Sequence, residues 1–297
     1  MQRNQLFMAS LVLAFSSAIV HADCIDKQDH RSTQSSGVVI TDFIISGTQT
    51  LSSDELNRIR RQLIGGCYND DSDELQERIR ALFQNRGYFR FELKSLSIKS
   101  LDPLGLPKPV LLEADVQEGP LFRLAEITFS GNHAFGSTKL RDGFPLKKGD
   151  LFKRDKIAGG LDTLRELYGK EGFLDFTSVP DTEFSSNATV LLNITIDEGP
   201  QYRMGKLELF AKKEVAERLQ AAWQLPEGAV FDFTYIDKYL KANRALFPPE
   251  FTRDEVQVLR DCPKATVDVR LPIDVNSTMS QAPAKDVECS ASNSQSN

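Results

Sequence analysis

Residues able to do covalent, acid–base or metal chemistry are sparse in this chain. There are four cysteines, Cys24, Cys67, Cys262 and Cys289, and three histidines, His21, His30 and His133. The cysteine spacings fit no zinc pattern, in which ligands recur a few residues apart. Their chemistry therefore depends on compartment, since an oxidising one favours disulfides and a reducing one free thiols. If oxidised, the most local pairing joins Cys24 to Cys67 and Cys262 to Cys289; the other reading of Cys67 is a small buried hydrophobe. No Gly-x-Ser-x-Gly, His-Glu-x-x-His or P-loop occurs. Glu118 and Glu198 stand in matching contexts, but at the ends of separate repeats, where a turn role accounts for them. Asn187-Ala-Thr189, Asn193-Ile-Thr195 and Asn276-Ser-Thr278 fit the glycosylation sequon, a triplet short enough to arise by chance. The expectation is no catalytic site, no cofactor, no metal and no small-molecule substrate, with a hydrolytic enzyme as the weakest alternative.

The chain has 297 residues, 40% hydrophobic and 26% charged, with a formal net charge of -6. That is ordinary globular composition, with a length suited to two or three domains. The acidic balance, with no block of Lys or Arg, argues against nucleic acid as a partner. Residues 1–22 carry Arg3, an apolar run from Leu6 to Val20, and Val20-His21-Ala22, which reads as a cleavable secretory signal peptide. The run is short for a transmembrane helix, and the alternative is an uncleaved anchor. Export selects the disulfide reading of the cysteines. Residues 23–37 form a linker, and the Ser, Asn, Gln, Ala and Pro of 276–297 read as a disordered polar tail.

Between these ends lie three copies of one module, expected at 38–119, 120–199 and 200–275. The joint Glu118-Gly119-Pro120 returns as Glu198-Gly199-Pro200, and in each an alternating run stops, turns and restarts. In the first module Val38–Ile45 reads as a strand, and Ser52-Ser53-Asp54-Glu55 as a capping box before a helix. Leu75, Ile79, Leu82 and Phe83 then mark the apolar stripe of a second helix. Gly87 ends that helix, and strands follow at Phe89–Lys94 and Val110–Gln117. The second module repeats the order with Gly131 in the turn after its first strand and Gly172 as the helix stop. The third is divergent: Lys212-Lys213 replaces the glycine turn, while Gly228-Ala229-Val230-Phe231 echoes Gly149-Asp150-Leu151-Phe152. The predicted class is α+β, with three β-α-α-β-β modules, each a three-stranded mixed sheet with two helices on one face.

Four segments carry a resemblance: Ile127-Thr-Phe-Ser-Gly131-Asn132, Gly149-Asp-Leu-Phe152, Tyr168-Gly169-Lys-Glu-Gly172-Phe173 and Glu198-Gly199-Pro200. Together, and echoed in the other modules, they resemble the polypeptide-transport-associated (POTRA) domain of the outer-membrane assembly factor and two-partner secretion transporter family. The resemblance covers about Val38 to Val275. It implies a tandem periplasmic arm, close to the outer membrane, whose partners are polypeptides: an unfolded outer-membrane protein, a barrel protein or an assembly-complex subunit. The family's C-terminal barrel needs repeated alternating strands, and none follow Val275, so the expectation is the arm's function without transport. A division-type envelope protein, which carries one such module after an anchor, is the alternative.

The expected contact is β-augmentation, in which a partner chain pairs with an open sheet edge. The family's edge strand falls at Phe173-Leu174-Asp175-Phe176-Thr177 in the second module and at Phe89 and Phe91 in the first, where Arg90, Glu92 and Lys94 blunt it. Proline at Asp175 or Thr177 is expected to remove a donor from the second-module edge and spare the core.

Overall fold

A computed structural model describes residues 37–69, 72–105 and 107–274. The signal peptide, the linker up to residue 36 and the tail lie outside the described residues, as do Cys24 and Cys289, so the two cysteine pairings are not tested. Cys262 is not a free thiol.

The first sheet is built from β1 (Gly37–Ser46), α1 (Ser53–Leu63), β2 (Cys67–Asn69), α2 (Ser72–Gln84), β3 (Glu92–Ser100) and β4 (Lys108–Gln117). The second uses β5 (Arg123–Ser130), α3 (Ser137–Asp142), α4 (Arg154–Lys170), β6 (Thr177–Phe184) and β7 (Thr189–Asp197). The third uses β8 (Arg203–Phe210), α5 (Lys213–Ala222), α6 (Tyr235–Ala242), β9 (Gln257–Asp261) and β10 (Thr266–Pro272). The last strand of each set is central, parallel to the first strand and antiparallel to the strand just before it. The class is therefore α+β, with the β-α-α-β-β order in the second and third sets and the same order in the first apart from β2, inserted between its helices. The first sheet gains a fourth strand because β2 pairs with β1. Its counterparts shrink to single bridges, Arg123 to Leu151 and Arg203 to Val230.

Periodicity explains these elements. Ser52 accepts from the Glu55 amide and Glu55 accepts from the Ser52 amide, so two donors at the start of α1 are satisfied reciprocally. Leu75, Ile79 and Phe83, at i, i+4 and i+8 of α2, are all fully buried. Val190, Leu192, Ile194 and Ile196 give β7 its buried face, and Val267, Val269 and Leu271 give β10 the same.

The chain divides into two compact units, Met1–Leu121 and Phe122–Asn297, so the second and third sheets belong to one body.

Two strand starts differ from expectation. Phe89–Phe91 and Phe173–Phe176 are turns, and the strands begin at Glu92 and Thr177. The cause is a helix stop. The Tyr88 amide donates to Phe83 O (3.1 Å) and the Phe173 amide to Tyr168 O (3.0 Å), the six-to-one bond of a Schellman motif, with Gly87 and Gly172 at positive φ. The aromatics of both stretches fold back onto their helices instead of continuing as strands. Phe91 stacks on Phe83 with ring centroids 4.1 Å apart, and Phe176 on Tyr168 at 4.2 Å.

The recurring acids have a fuller role than ending a strand. The Glu118 carboxylate, 3% exposed, accepts from the amides of Gln49, Thr50 and Leu51 in the loop after β1. The Glu198 carboxylate accepts from the amides of His133 (2.8 Å) and Ala134 (2.9 Å) and from the Tyr168 hydroxyl (2.9 Å). Each ties the first crossover loop to the far end of the central strand. Gly119-Pro120 and Gly199-Pro200 follow as unpaired joints, with both glycines at positive φ.

Candidate functional site

Asp175, expected on a free edge, is instead a joint residue. Its carboxylate accepts from the Tyr202 hydroxyl (2.6 Å) and pairs with the Arg260 guanidinium. Tyr202 itself is fully buried, and its amide donates to Gly172 O at 2.8 Å. A Cβ on Gly172 would lie 2.6 Å from Tyr202 O, so the helix stop after α4 is also the point where the third module closes against the second. The Phe233 amide donates to Gly169 O (3.1 Å), and Gln201 Nε2 to Glu171 O (2.9 Å). These bonds are why the second and third sheets form one body.

Burial first, then the bond to Asp175, pushes the Tyr202 phenol up to about 12. Burial likewise raises Tyr168 and Tyr239 above the ordinary phenol value. Unfolded phenols titrate near pH 10, so the stabilisation is complete below that pH and is lost as pH rises from about 10 through 12. Urea midpoints of the second unit should therefore fall steeply over this window, and Tyr202→Phe should flatten the slope. An unchanged slope in Tyr202→Phe would remove Tyr202 as a source of the effect.

Sheet order leaves β3, β6 and β9 at edges, but their backbones differ. In β6 the Ser185 amide bonds Thr189 O (2.9 Å), which sets Thr177, Val179, Asp181 and Glu183 as the residues bonded to β7 and turns the even positions outward. Proline at Thr177 would thus break the ladder and not the free edge. The outward positions are already blunted: Pro180 has no N–H, and the Thr182 amide donates to the Asp181 carboxylate at 2.8 Å. In β3 the Leu101 amide bonds Pro109 O (2.9 Å), so Ser95, Ser97 and Lys99 face β4, while Leu96, Ile98 and Ser100 turn their backbone groups outward with no proline among them. The first-module edge is the more open of the two, contrary to the charge-based expectation. Its charges sit on the solvent face, where Lys99 pairs with Glu113 and Lys94 with Glu92.

The residues of the expected strand do gather at a site of another kind. Phe173, Leu174 and Phe176 line a cleft of about 370 Å³ with Arg165 and Gly169 of α4, Phe233, and Val258 and Arg260 of β9. Sequence reasoning missed Phe233, Val258 and Arg260 because they belong to the next module. The available signal was a large aromatic, Phe233, outside the helical stripe of α6. Phe89 is half-buried and Phe91 buried under the β3 start, so neither presents a sheet edge. Among the described residues no helix is long and apolar enough to cross a membrane, and no cluster of His, Cys, Asp and Glu could hold a metal.

Residues 122–199 match the POTRA family, described as surface antigen variable number repeat. A Treponema pallidum (strain Nichols) protein named as an outer membrane protein assembly factor is 24% identical over 212 residues, covering 67% of this chain and 24% of that protein. Outer membrane protein assembly factor BamA of Neisseria meningitidis serogroup B (strain ATCC BAA-335 / MC58) is 24% identical over 110 residues, covering 33% of this chain and 14% of that one. The chain thus spans a quarter or less of the length of these relatives. POTRA domains 3–5 of Haemophilus influenzae BamA superpose with a TM-score of 0.59 at 18% identity, covering 79% of this chain and 95% of that structure, which is a likeness of fold. With the matched domain, the assembly-factor relatives and the shared tandem fold in agreement, the chain is a POTRA-domain protein that resembles the periplasmic arm of the BamA-type assembly factors.

Proposed function

We propose that this chain is an exported, non-enzymatic scaffold in the periplasm, acting in outer-membrane protein assembly or secretion. It holds polypeptide partners (an unfolded outer-membrane protein, a barrel protein or an assembly-complex subunit) by strand addition to an open sheet edge. The signal-peptide reading of residues 1–22 supports export, and the pairings Cys24–Cys67 and Cys262–Cys289 belong to the same reading. The observation that carries the binding mode is β3: Leu96, Ile98 and Ser100 turn donors and acceptors outward, which is the template strand addition needs. The relatives named as assembly factors supply the class of partner.

The test uses a fluorescein-labelled peptide alternating Val and Thr, the pattern of a transmembrane β-strand, with a photo-crosslinker at Ser97 of the full chain. Adducts are expected at Ser97. Ile98→Pro, which deletes an outward donor, should weaken binding at least tenfold, whereas Ile98→Ala, with the same packing loss, should change it less than threefold. Equal binding by the proline and alanine variants would overturn edge addition at β3.

A further inference from the structure

We infer that the cleft between α4 and β9 is a second binding site, for an extended segment carrying an apolar side chain and, two residues along, a carboxylate. The inference rests on the polypeptide-binding reading above and names the partner's chemistry at a place that reading does not use.

The floor of the cleft is apolar: Phe173, Leu174, Phe233 and Val258. Phe233 is 41% exposed while its amide is bonded to Gly169 O, so a large ring faces solvent from an anchored backbone position. The rim is cationic in a chain of net charge -6. Arg165 and Arg260 line the cleft, and the Arg253 guanidinium lies 4.8 Å from the Phe233 ring centroid. Arg260 is committed to Asp175. Arg165 is not committed in the same way, because its pair with Asp162 has side chains 70% and 71% exposed, and such pairs contribute little. A ligand carboxylate can replace Asp162 at small cost.

Continuity with the sheet fixes the ligand's shape. Val258 and Arg260 stand opposite Val269 and Val267 of β10, the buried helix-side positions, so both project on that side of the edge strand. A chain added to β9 would send every second side chain onto the same side. One such side chain lands over Phe233 and Leu174, and its neighbour two residues along reaches the arginine rim. A volume of about 370 Å³ is in the range that seats small ligand groups.

The probe is fluorescein-Thr-Val-Thr-Phe-Thr-Glu-Thr-Val-amide, titrated against the full chain by anisotropy, with a second probe in which Gln replaces Glu. The Glu probe is expected to bind about tenfold more tightly than the Gln probe, and Phe233→Ala should weaken both about tenfold. Arg165→Gln should lower the Glu probe to the level of the Gln probe and leave the Gln probe unchanged, the coupling a direct contact requires. Probe affinity unaffected by Phe233→Ala and Arg165→Gln, yet lost in Ile98→Pro, would overturn the cleft and leave the β3 reading standing. No binding to any form of the chain would overturn both. A chain ending at Val275 that binds while the full chain does not would assign the cleft to residues 276–297 and overturn a separate partner. A dimer abolished by Phe233→Ala and dissociated by the probe would assign the cleft to a second copy, and would likewise overturn a separate partner.

Discussion

Glu118→Ala is expected to destabilise the first unit by about 4 kcal/mol, because three loop amides, those of Gln49, Thr50 and Leu51, would lose one shared charged acceptor and each such bond lost costs roughly 1–3 kcal/mol. Glu118 is 3% exposed, so its carboxylate is exchanged for solvent only in part when the loop is intact. Glu118→Gln keeps one acceptor oxygen but turns an NH₂ toward the same donors, and should cost about half as much. Glu198→Ala should be milder, since Glu198 is half-buried and solvent can reach the His133 and Ala134 amides. Hydrogen exchange of residues 37–121 resolves the first unit, which has no tryptophan. Equal exchange rates in Glu118→Ala and the parent protein would mean that the carboxylate does not hold the loop.

The same two glutamates mark how far sequence reasoning reaches. Their recurrence places them at equivalent points of a repeat, and a turn role follows; the cap on a loop far away in sequence does not, because it depends on a crossover closing in three dimensions. Helix faces are legible throughout, since the stripe Leu75, Ile79 and Phe83 needs only the period of the helix. Strand starts are not. Phe89 and Phe91 alternate as a half-buried strand does, and Phe173 and Phe176 stand in the corresponding stretch, yet a Schellman stop puts these residues back on their helices. Alternation over four residues is shared by the two geometries, and the six-to-one hydrogen bond decides between them. The displaced strand start also moves the candidate site. Asp175 becomes a link to Tyr202 and Arg260, and Phe173 and Leu174 become the wall of a cleft whose other wall is in the following module. Edge quality is the second illegible feature. Counting charges favours the second module, but whether Pro180 faces β7 or solvent depends on ladder phase, which the Ser185–Thr189 bond sets.

Gly131→Ala should cost about 2–4 kcal/mol of second-unit stability, two to four times the roughly 1 kcal/mol cost of Gly149→Ala. Both glycines have positive φ, +78° and +88°, so each alanine carries a left-handed penalty of about 1 kcal/mol. They differ in what surrounds them. A Cβ on Gly131 would fall 2.1 Å from the carbonyl oxygen of Ile196, and no heavy atom lies within 4 Å of the corresponding point on Gly149. The oxygen is backbone in the central strand β7, so relief requires β5 and β7 to separate near Ser130 and Thr195, at a further 1–3 kcal/mol or so. Urea unfolding followed by the fluorescence of the single tryptophan, Trp223, suits the comparison. Trp223 packs against Tyr235 and Tyr239 in the third module, and the Asp175–Tyr202–Arg260 joint should carry the loss from the second sheet to it. A midpoint for Gly131→Ala that matches Gly149→Ala would show that β5 and β7 give way freely at this turn. A shift seen by circular dichroism but not by Trp223 would show that the joint does not make the two sheets unfold together.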